Sequence, residues 1–344
     1  MTAAPLRLRL DARALQDNWR ALAGLSGRAA CGAAVKADGY GLGAAAVATR
    51  LAEAGCRDFY VSNWREADAL APLGLSVSVL HGVRAEDMPV ALAGGSARPV
   101  LNTPDQVRRW REAGGGPCDV MVDTGMNRLG LAPGDVAAGL LDGLAVDTLM
   151  SHLARADEDD SMNRRQRDAL AGLAGRTAAR RLSLANSAGI ALGPDYHFDL
   201  TRPGLAVYGG VPRPELADAL RPVARPEAQV LQRRRVGAGD AVGYNATWTA
   251  PVATEVAILN IGYADGYFRA FSDRGSATWE DAALPVIGRV SMDLVAVDCT
   301  SAPALAEGDW VAVAFDLPAA SRASGLSQYE LLTGLGDRYD RLWT

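Results

Sequence analysis

Along the first two thirds of the chain, short apolar or β-rich runs alternate with stretches of helical periodicity. The runs are AAVK (33–36), DFYVSN (58–63), VSVLHG (77–82), RPVLN (98–102), DVMVDTG (119–125), DTLMSHL (147–153), LSLANS (182–187) and GLAVYGG (204–210). Between them lie segments such as GAAAVATRLAEAG and DQVRRWREAG, whose apolar residues recur at helical spacing. Strands separated by helices predict an α/β fold with a parallel sheet, and eight of them predict a (β/α)8 TIM-type barrel. A doubly wound open sheet is the alternative. Polar residues favour the barrel: Lys36, Asp123 with Arg128, His152, Asn186 with Ser187, and Arg202 with Gly204 fall at or just past the ends of the runs. Barrel enzymes assemble their sites at that face, whereas a doubly wound sheet gathers them at one crevice.

After about residue 212 the texture changes. PRPELADALRPVARPE reads as a linker with one or two helical turns. Beyond it QVLQRRRVGAGDAVGY, ATEVAILNIGY, LPVIGRVSMDLVAVDC and DWVAVAF alternate with Gly/Asp turns, which predicts a mostly antiparallel β domain closed by a short helix around Gln328–Gly334. The expected division is 8–214 for the barrel and 215–344 for the β domain, with residues 1–7 a candidate to pair with the latter.

Composition narrows the class. The 344 residues are 49% apolar and 22% charged, with 37 glycines, as in a folded chain without disorder signatures. A net charge of −5 with scattered arginines argues against nucleic acid or an anionic membrane as partner. No apolar run approaches a membrane span, and MTAAPLRLRLDAR lacks the apolar stretch of a signal peptide, so a cytoplasmic location is expected. Cys31, Cys56, Cys118 and Cys299 stand far apart, which predicts neither disulfides nor a thiolate-held metal.

One residue changes the picture. The 35 Lys and Arg residues include a single lysine, Lys36, in AAVKADGYGLG. Arginine serves as a permanent cation, while a buried lysine can lose its proton, attack a carbonyl or act as a base. Drift from Lys to Arg in a GC-rich genome is the bland explanation; the neighbouring motifs weigh against it.

Eight of these motifs run in order over nearly the whole chain: AAVKADGYGLG, VDTGMNRLGL, SHLARADE, ANSAG, TRPGLAVYG, GDAVGYNATWTA, IGYADGY and GRVSMD. Together they resemble the alanine racemase family, enzymes built from a barrel and a C-terminal β domain around pyridoxal 5'-phosphate. The resemblance implies that Lys36 holds the cofactor covalently and then serves as one of two bases. Tyr244, in VGYNATW, would be the second, supplied by the other subunit of a homodimer. His152 would contact this tyrosine, and Arg202 would continue the hydrogen-bonded line and face the pyridine nitrogen. Tyr40, Ser187 and backbone amides around Gly204 and Leu205 would hold the phosphate, with Asn186 and Gly39 shaping turns. Arg128 and the Met292 amide would bind the substrate carboxylate, Tyr263 would line the entry channel, and Asp293 would orient its loop or accept from an arginine. No metal is implied.

The chain departs from the family pattern in three places. A lysine that many members carry as a carbamate falls at Met121, so no carbamate forms here, and Asn127, Asp123 or a bound anion must hold Arg128 instead. Leu42 stands where a histidine often follows the YG pair. Tyr339, in GDRYDRLWT, is a candidate for a place near the phosphate or the channel. The implied reaction is interconversion of L- and D-alanine, supplying cell-wall peptidoglycan. A racemase of the same fold acting on serine, lysine or a broader set is one alternative; a decarboxylase or a non-catalytic binder of the same cofactor is another.

Overall fold

The computed structural model describes residues 4–344, so only residues 4–7 of the N-terminal candidate can be followed and residues 1–3 lie outside it. Two compact units result. One comprises residues 15–221, the other, among the described residues, 4–14 and 222–344.

The first unit is built on a parallel sheet that curls until its ends meet. The strands Asp58–Val61, Ser76–Val79, Ala97–Leu101, Cys118–Met121, Val146–Met150, Arg181–Ser183 and Leu200–Thr201 follow in sequence order. The ring closes through a strand broken at one residue: Ala30–Cys31 pairs with Leu200–Thr201, and Ala33–Ala34 pairs with Phe59–Tyr60. Gly32 sits at the break because a Cβ there would lie 2.7 Å from the Asp58 carbonyl. Val146–Met150 is buried along its full length, as strands covered on both faces are. Helices such as Ala44–Ala54, Trp64–Leu70, Pro104–Glu112 and Ser161–Ala171 separate the strands.

Seven of the eight apolar runs contain a barrel strand or lead out of one. GLAVYGG does not: Leu205–Tyr208 forms a buried 3-10 turn, and the eighth strand is the two-residue Leu200–Thr201 just before it. Burial alone accounts for the apolarity of that run, and two residues are too short to leave a period.

Charges gather at the amino ends of the strands. Arg181 binds Asp58 at 2.8 Å and Asp147 at 2.6 Å, and Arg98 binds Asp119 at 3.1 Å and Asp147 at 3.3 Å. Lys36, His152 and Arg202 follow the carboxyl ends of their strands, at the opposite mouth.

In the second unit, Leu6–Leu10 pairs antiparallel with the long strand Ala224–Val236 and parallel with Asp340–Trp343. Ala224–Val236 also carries Thr254–Leu259 and Trp310–Val313, both antiparallel. The strand therefore begins inside the expected linker and tolerates Pro226. Two elements escape the sequence pattern: the helix Leu317–Ser324 and the final strand Asp340–Trp343, which follows the anticipated helix, Gln328–Thr333.

Candidate active site

Lys36 stands two residues past Ala34, where the chain leaves the first barrel strand and turns left-handed. Ala37, Asp38, Gly39 and Tyr40 have φ of 52°, 52°, 62° and 56°. Only Gly39 takes this conformation freely; each of the other three costs about 1–2 kcal/mol. Burial pulls the Lys36 amine below its ordinary pKa, the Arg128 guanidinium pulls it the same way, and the Glu66 carboxylate opposes them. The chain's one lysine is thus pressed toward its neutral form.

Tyr40, Ser187 and Gly204 come together after the carboxyl ends of their strands. Ser187 begins the short helix Ser187–Ala191, capped by Asn186, whose side chain accepts from the Gly189 amide at 2.9 Å. The Ser187 hydroxyl accepts from the Gly204 amide at 2.9 Å and from the Ala206 amide at 3.1 Å. Sequence reasoning named Gly204 and Leu205; the second amide on Ser187 is that of Ala206. The Tyr40 ring stacks on Tyr208 with centroids 4.5 Å apart, and a Cβ at Gly204 would lie 2.2 Å from the Tyr40 hydroxyl. Glycine is required for that approach. A serine hydroxyl, a tyrosine hydroxyl and closely spaced backbone amides form a cradle suited to a dianion.

Arg202 is buried. Its guanidinium donates to the Ser151 carbonyl at 2.6 Å and to the Ser183 hydroxyl, and it lies 5.8 Å from the centre of the Tyr60 ring. Its bond to the residue just before His152 ties the two site residues together. Enclosure in protein and the charges of Arg202, Arg128 and Lys36 push the His152 imidazole down to about 3. His152 is therefore neutral at physiological pH.

That neutrality predicts a pH dependence of stability. An imidazole that titrates near 6.5 when unfolded and about 3 when folded binds protons preferentially in the unfolded chain. Its contribution is complete above pH 6.5 and is lost as pH falls below that value. Between pH 7 and 5 the loss is about 2 kcal/mol. Urea unfolding at the two pH values should show His152→Gln losing that much less stability than the parent. Equal losses would mean that His152 is protonated in the folded state.

Arg128 is exposed on a loop held by Asp123. One Asp123 oxygen accepts from the Gly125 and Asn127 amides at 2.8 and 3.0 Å; the other accepts from the Arg128 amide at 3.1 Å. Of the groups considered to replace the carbamate, Asp123 acts on the backbone. The Asn127 side chain reaches only the Gly125 carbonyl, at 3.4 Å. Met121 is buried in the strand below.

The second unit brings Tyr263, Met292 and Asp293 together. The Tyr263 amide donates to Ser291 O at 3.0 Å and the Ala264 amide to Met292 O at 3.1 Å. Arg338, absent from the sequence reading, donates to Asp293 at 2.7 Å and to both oxygens of buried Asp265 at 2.7 and 2.8 Å. Arg269 lies over the Tyr263 ring at 5.2 Å. Tyr339 is buried, its hydroxyl donating to Asp265 O at 2.9 Å. Tyr244, on the turn Tyr244–Ala246, is 66% exposed beside a mostly apolar cavity of about 390 Å³ that Arg289, Ser291 and Leu294 also line.

Residues 10–212 match the family model of the alanine racemase N-terminal domain, and residues 223–343 match that of the C-terminal domain. The chain belongs to the alanine racemase family. The alanine racemase of Acidiphilium cryptum is 42% identical over 97% of this chain and 98% of its own length. Two from Agrobacterium fabrum, one biosynthetic and one catabolic, are 40% and 41% identical over 98% and 97% of this chain and over 93% and 91% of their own lengths. The crystal structure of the alanine racemase from Bartonella henselae, with covalently bound pyridoxal phosphate, superposes over the whole of both chains with a TM-score of 0.91 at 33% identity. As an isomerase of the alanine racemase family, this chain carries the family's barrel and antiparallel-rich second domain. Among the described residues, no helix is long and apolar enough to cross a membrane.

Proposed function

We propose that the protein interconverts L- and D-alanine with pyridoxal 5'-phosphate as cofactor, in a homodimer whose subunits share each site, and so supplies D-alanine for peptidoglycan. The observation that carries this reading is the chain's only lysine at the barrel mouth, its amine shifted toward neutrality beside Arg128 and His152. The residues around it suit the cofactor. Lys36 would hold it, the Ser187 hydroxyl, Tyr40 hydroxyl and Gly204 and Leu205 amides would take the phosphate, and Arg202 would face the ring nitrogen. When bound, the cofactor supplies an electron sink for a carbanion at the substrate Cα.

The chain's own groups then do the proton work. Arg128 binds the substrate carboxylate through its planar fork, shared with the Met292 amide from the partner subunit. Lys36 Nζ takes or returns the Cα proton on one face, and Tyr244 of the partner subunit serves the other. A phenol with an ordinary pKa near 10 is a weak base at neutral pH. Neutral His152 supplies a ring nitrogen able to accept from it, and Arg202, permanently charged, completes the line. Tyr263 narrows the entrance, and Asp293 steadies the Met292 loop through Arg338. Tyr244 and Met292, 66% and 53% exposed, suit a face covered by a second copy.

The test is incubation of the purified protein with pyridoxal phosphate and L-alanine in D2O. D-alanine carrying deuterium at Cα is the expected product. No exchange with alanine, but exchange with serine or lysine, would move the reading to a racemase of other specificity; no exchange with any amino acid would overturn it.

A further inference from the structure

A left-handed run such as Ala37–Tyr40 persists only where the surroundings impose it. Three side chains do so. The Asp38 carboxylate accepts from the Ala44 amide at 2.8 Å, Tyr40 stacks on Tyr208, and Glu66 holds the start of the run. One Glu66 oxygen accepts from the Ala37 amide at 3.1 Å and the other from the Ser62 amide at 2.7 Å. Glu66 is itself fixed, since it lies in the first turn of the helix Trp64–Leu70 and its amide donates to the capping side chain of Asn63 at 3.1 Å. Its carboxylate thereby bolts the peptide group just after Lys36 to the residue just past the strand Asp58–Val61. The Ala37 amide is the far side of the Lys36 ψ rotation, so this bond sets the direction in which the Lys36 side chain leaves the backbone.

We propose that Glu66 is a positioning residue for Lys36, aiming its amine across the barrel mouth by clamping the Ala37 amide. The proposal rests on the reading of Lys36 as cofactor anchor and base. The hydrogen bonds its carboxylate makes here go to the backbone amides of Ala37 and Ser62. Its negative charge also favours the protonated amine, against burial and Arg128.

A comparable carboxylate provides the control. Glu330 caps the helix Gln328–Thr333, accepting from the Ser327 amide at 2.8 Å, and is none of the residues assigned to the site. The full-length, cofactor-loaded protein is compared with E66A, E66Q and E330Q for kcat, KM for L-alanine and melting temperature. A further readout is the rate at which protein stripped of cofactor regains visible absorbance with added pyridoxal phosphate. Misaiming a reacting group by about 1 Å costs on the order of 10²-fold, so E66A should lose about that in kcat with KM little changed. Its recovery of absorbance should slow about tenfold. E66Q, which keeps one acceptor for the Ala37 amide, should regain part of both, and carries the comparison if E66A does not fold. E330Q should lower the melting temperature and leave kcat and absorbance recovery unchanged.

Glu66 variants that melt earlier but keep kcat and the recovery rate would reduce Glu66 to a structural cap and overturn the proposal. So would Glu66 variants indistinguishable from the parent. A parent that neither racemises alanine nor takes up cofactor would instead refute the reading of Lys36, and the role of Glu66 with it.

Discussion

Replacing Lys36 with arginine should slow racemisation by about 10²- to 10⁴-fold. It should also end covalent retention of the cofactor, because no other lysine can substitute. The substitution preserves positive charge and much of the length, so it isolates what an amine does that a guanidinium cannot. Guanidinium stays protonated at every working pH and neither anchors a carbonyl compound nor carries the Cα proton. The site also disfavours a second permanent cation: burial and Arg128 already press the amine toward its neutral form. Two measurements decide. Turnover of L-alanine is followed in the variant and parent at matched fold, established by melting temperature. Borohydride-reduced, cofactor-loaded protein is digested, and the pyridoxyl label should map to the peptide containing residue 36 in the parent and to no peptide in the variant. A Lys36→Arg protein that kept more than about 1% of turnover would remove the amine from the mechanism.

The two ends of the barrel divide the labour. At the amino ends of the strands, Arg98 and Arg181 are tied to Asp58, Asp119 and Asp147, so the buried charges there are paired. At the mouth, Lys36, Arg128 and Arg202 bring positive charge to one place, and His152 answers by staying neutral. Arg202 holds itself by donating to a carbonyl and a hydroxyl. Gathered cations of this kind attract anions.

Much of this was legible in the sequence, for physical reasons. Parallel barrel strands are covered on both faces, so DFYVSN and DTLMSHL stand out as apolar runs, and the polar residues after them stand out in turn. Lys36 is visible because it has no rival. Leu200–Thr201 is invisible at two residues, and the strand broken at Gly32 shows its reason only when Asp58 O is seen 2.7 Å from the missing Cβ. The supporting residues escape for a different reason. Asp123 and Glu66 act on backbone amides, which every residue possesses, so nothing in the pattern marks them. Arg338 finds Asp265 across 73 positions, a pairing no local period encodes.

Mixing Lys36→Ala subunits with Tyr244→Phe subunits should restore about one quarter of parent activity, although each variant alone should fall by about 10²- to 10⁴-fold. The arithmetic follows from a two-fold dimer with shared sites. Equal amounts, dissociated and reassociated at random, give about half mixed dimers. Each mixed dimer has one site with both lesions and one with neither, since the intact Lys36 and the intact Tyr244 come from different chains. The expectation draws on Tyr244 being 66% exposed on its own unit, next to a mostly apolar cavity, with Met292 53% exposed among the same group of loops. An aromatic side chain left so open gains a partner when a second copy covers it. Turnover of L-alanine by the mixture, against each variant treated identically, is the readout. If Lys36 and Tyr244 of one chain served the same site, every site in the mixture would carry one lesion and no activity would return. Restoration near one quarter therefore separates a shared site from a self-contained one. Loss of Cα inversion in Tyr244→Phe with deuterium exchange retained would assign Lys36 and Tyr244 to opposite faces.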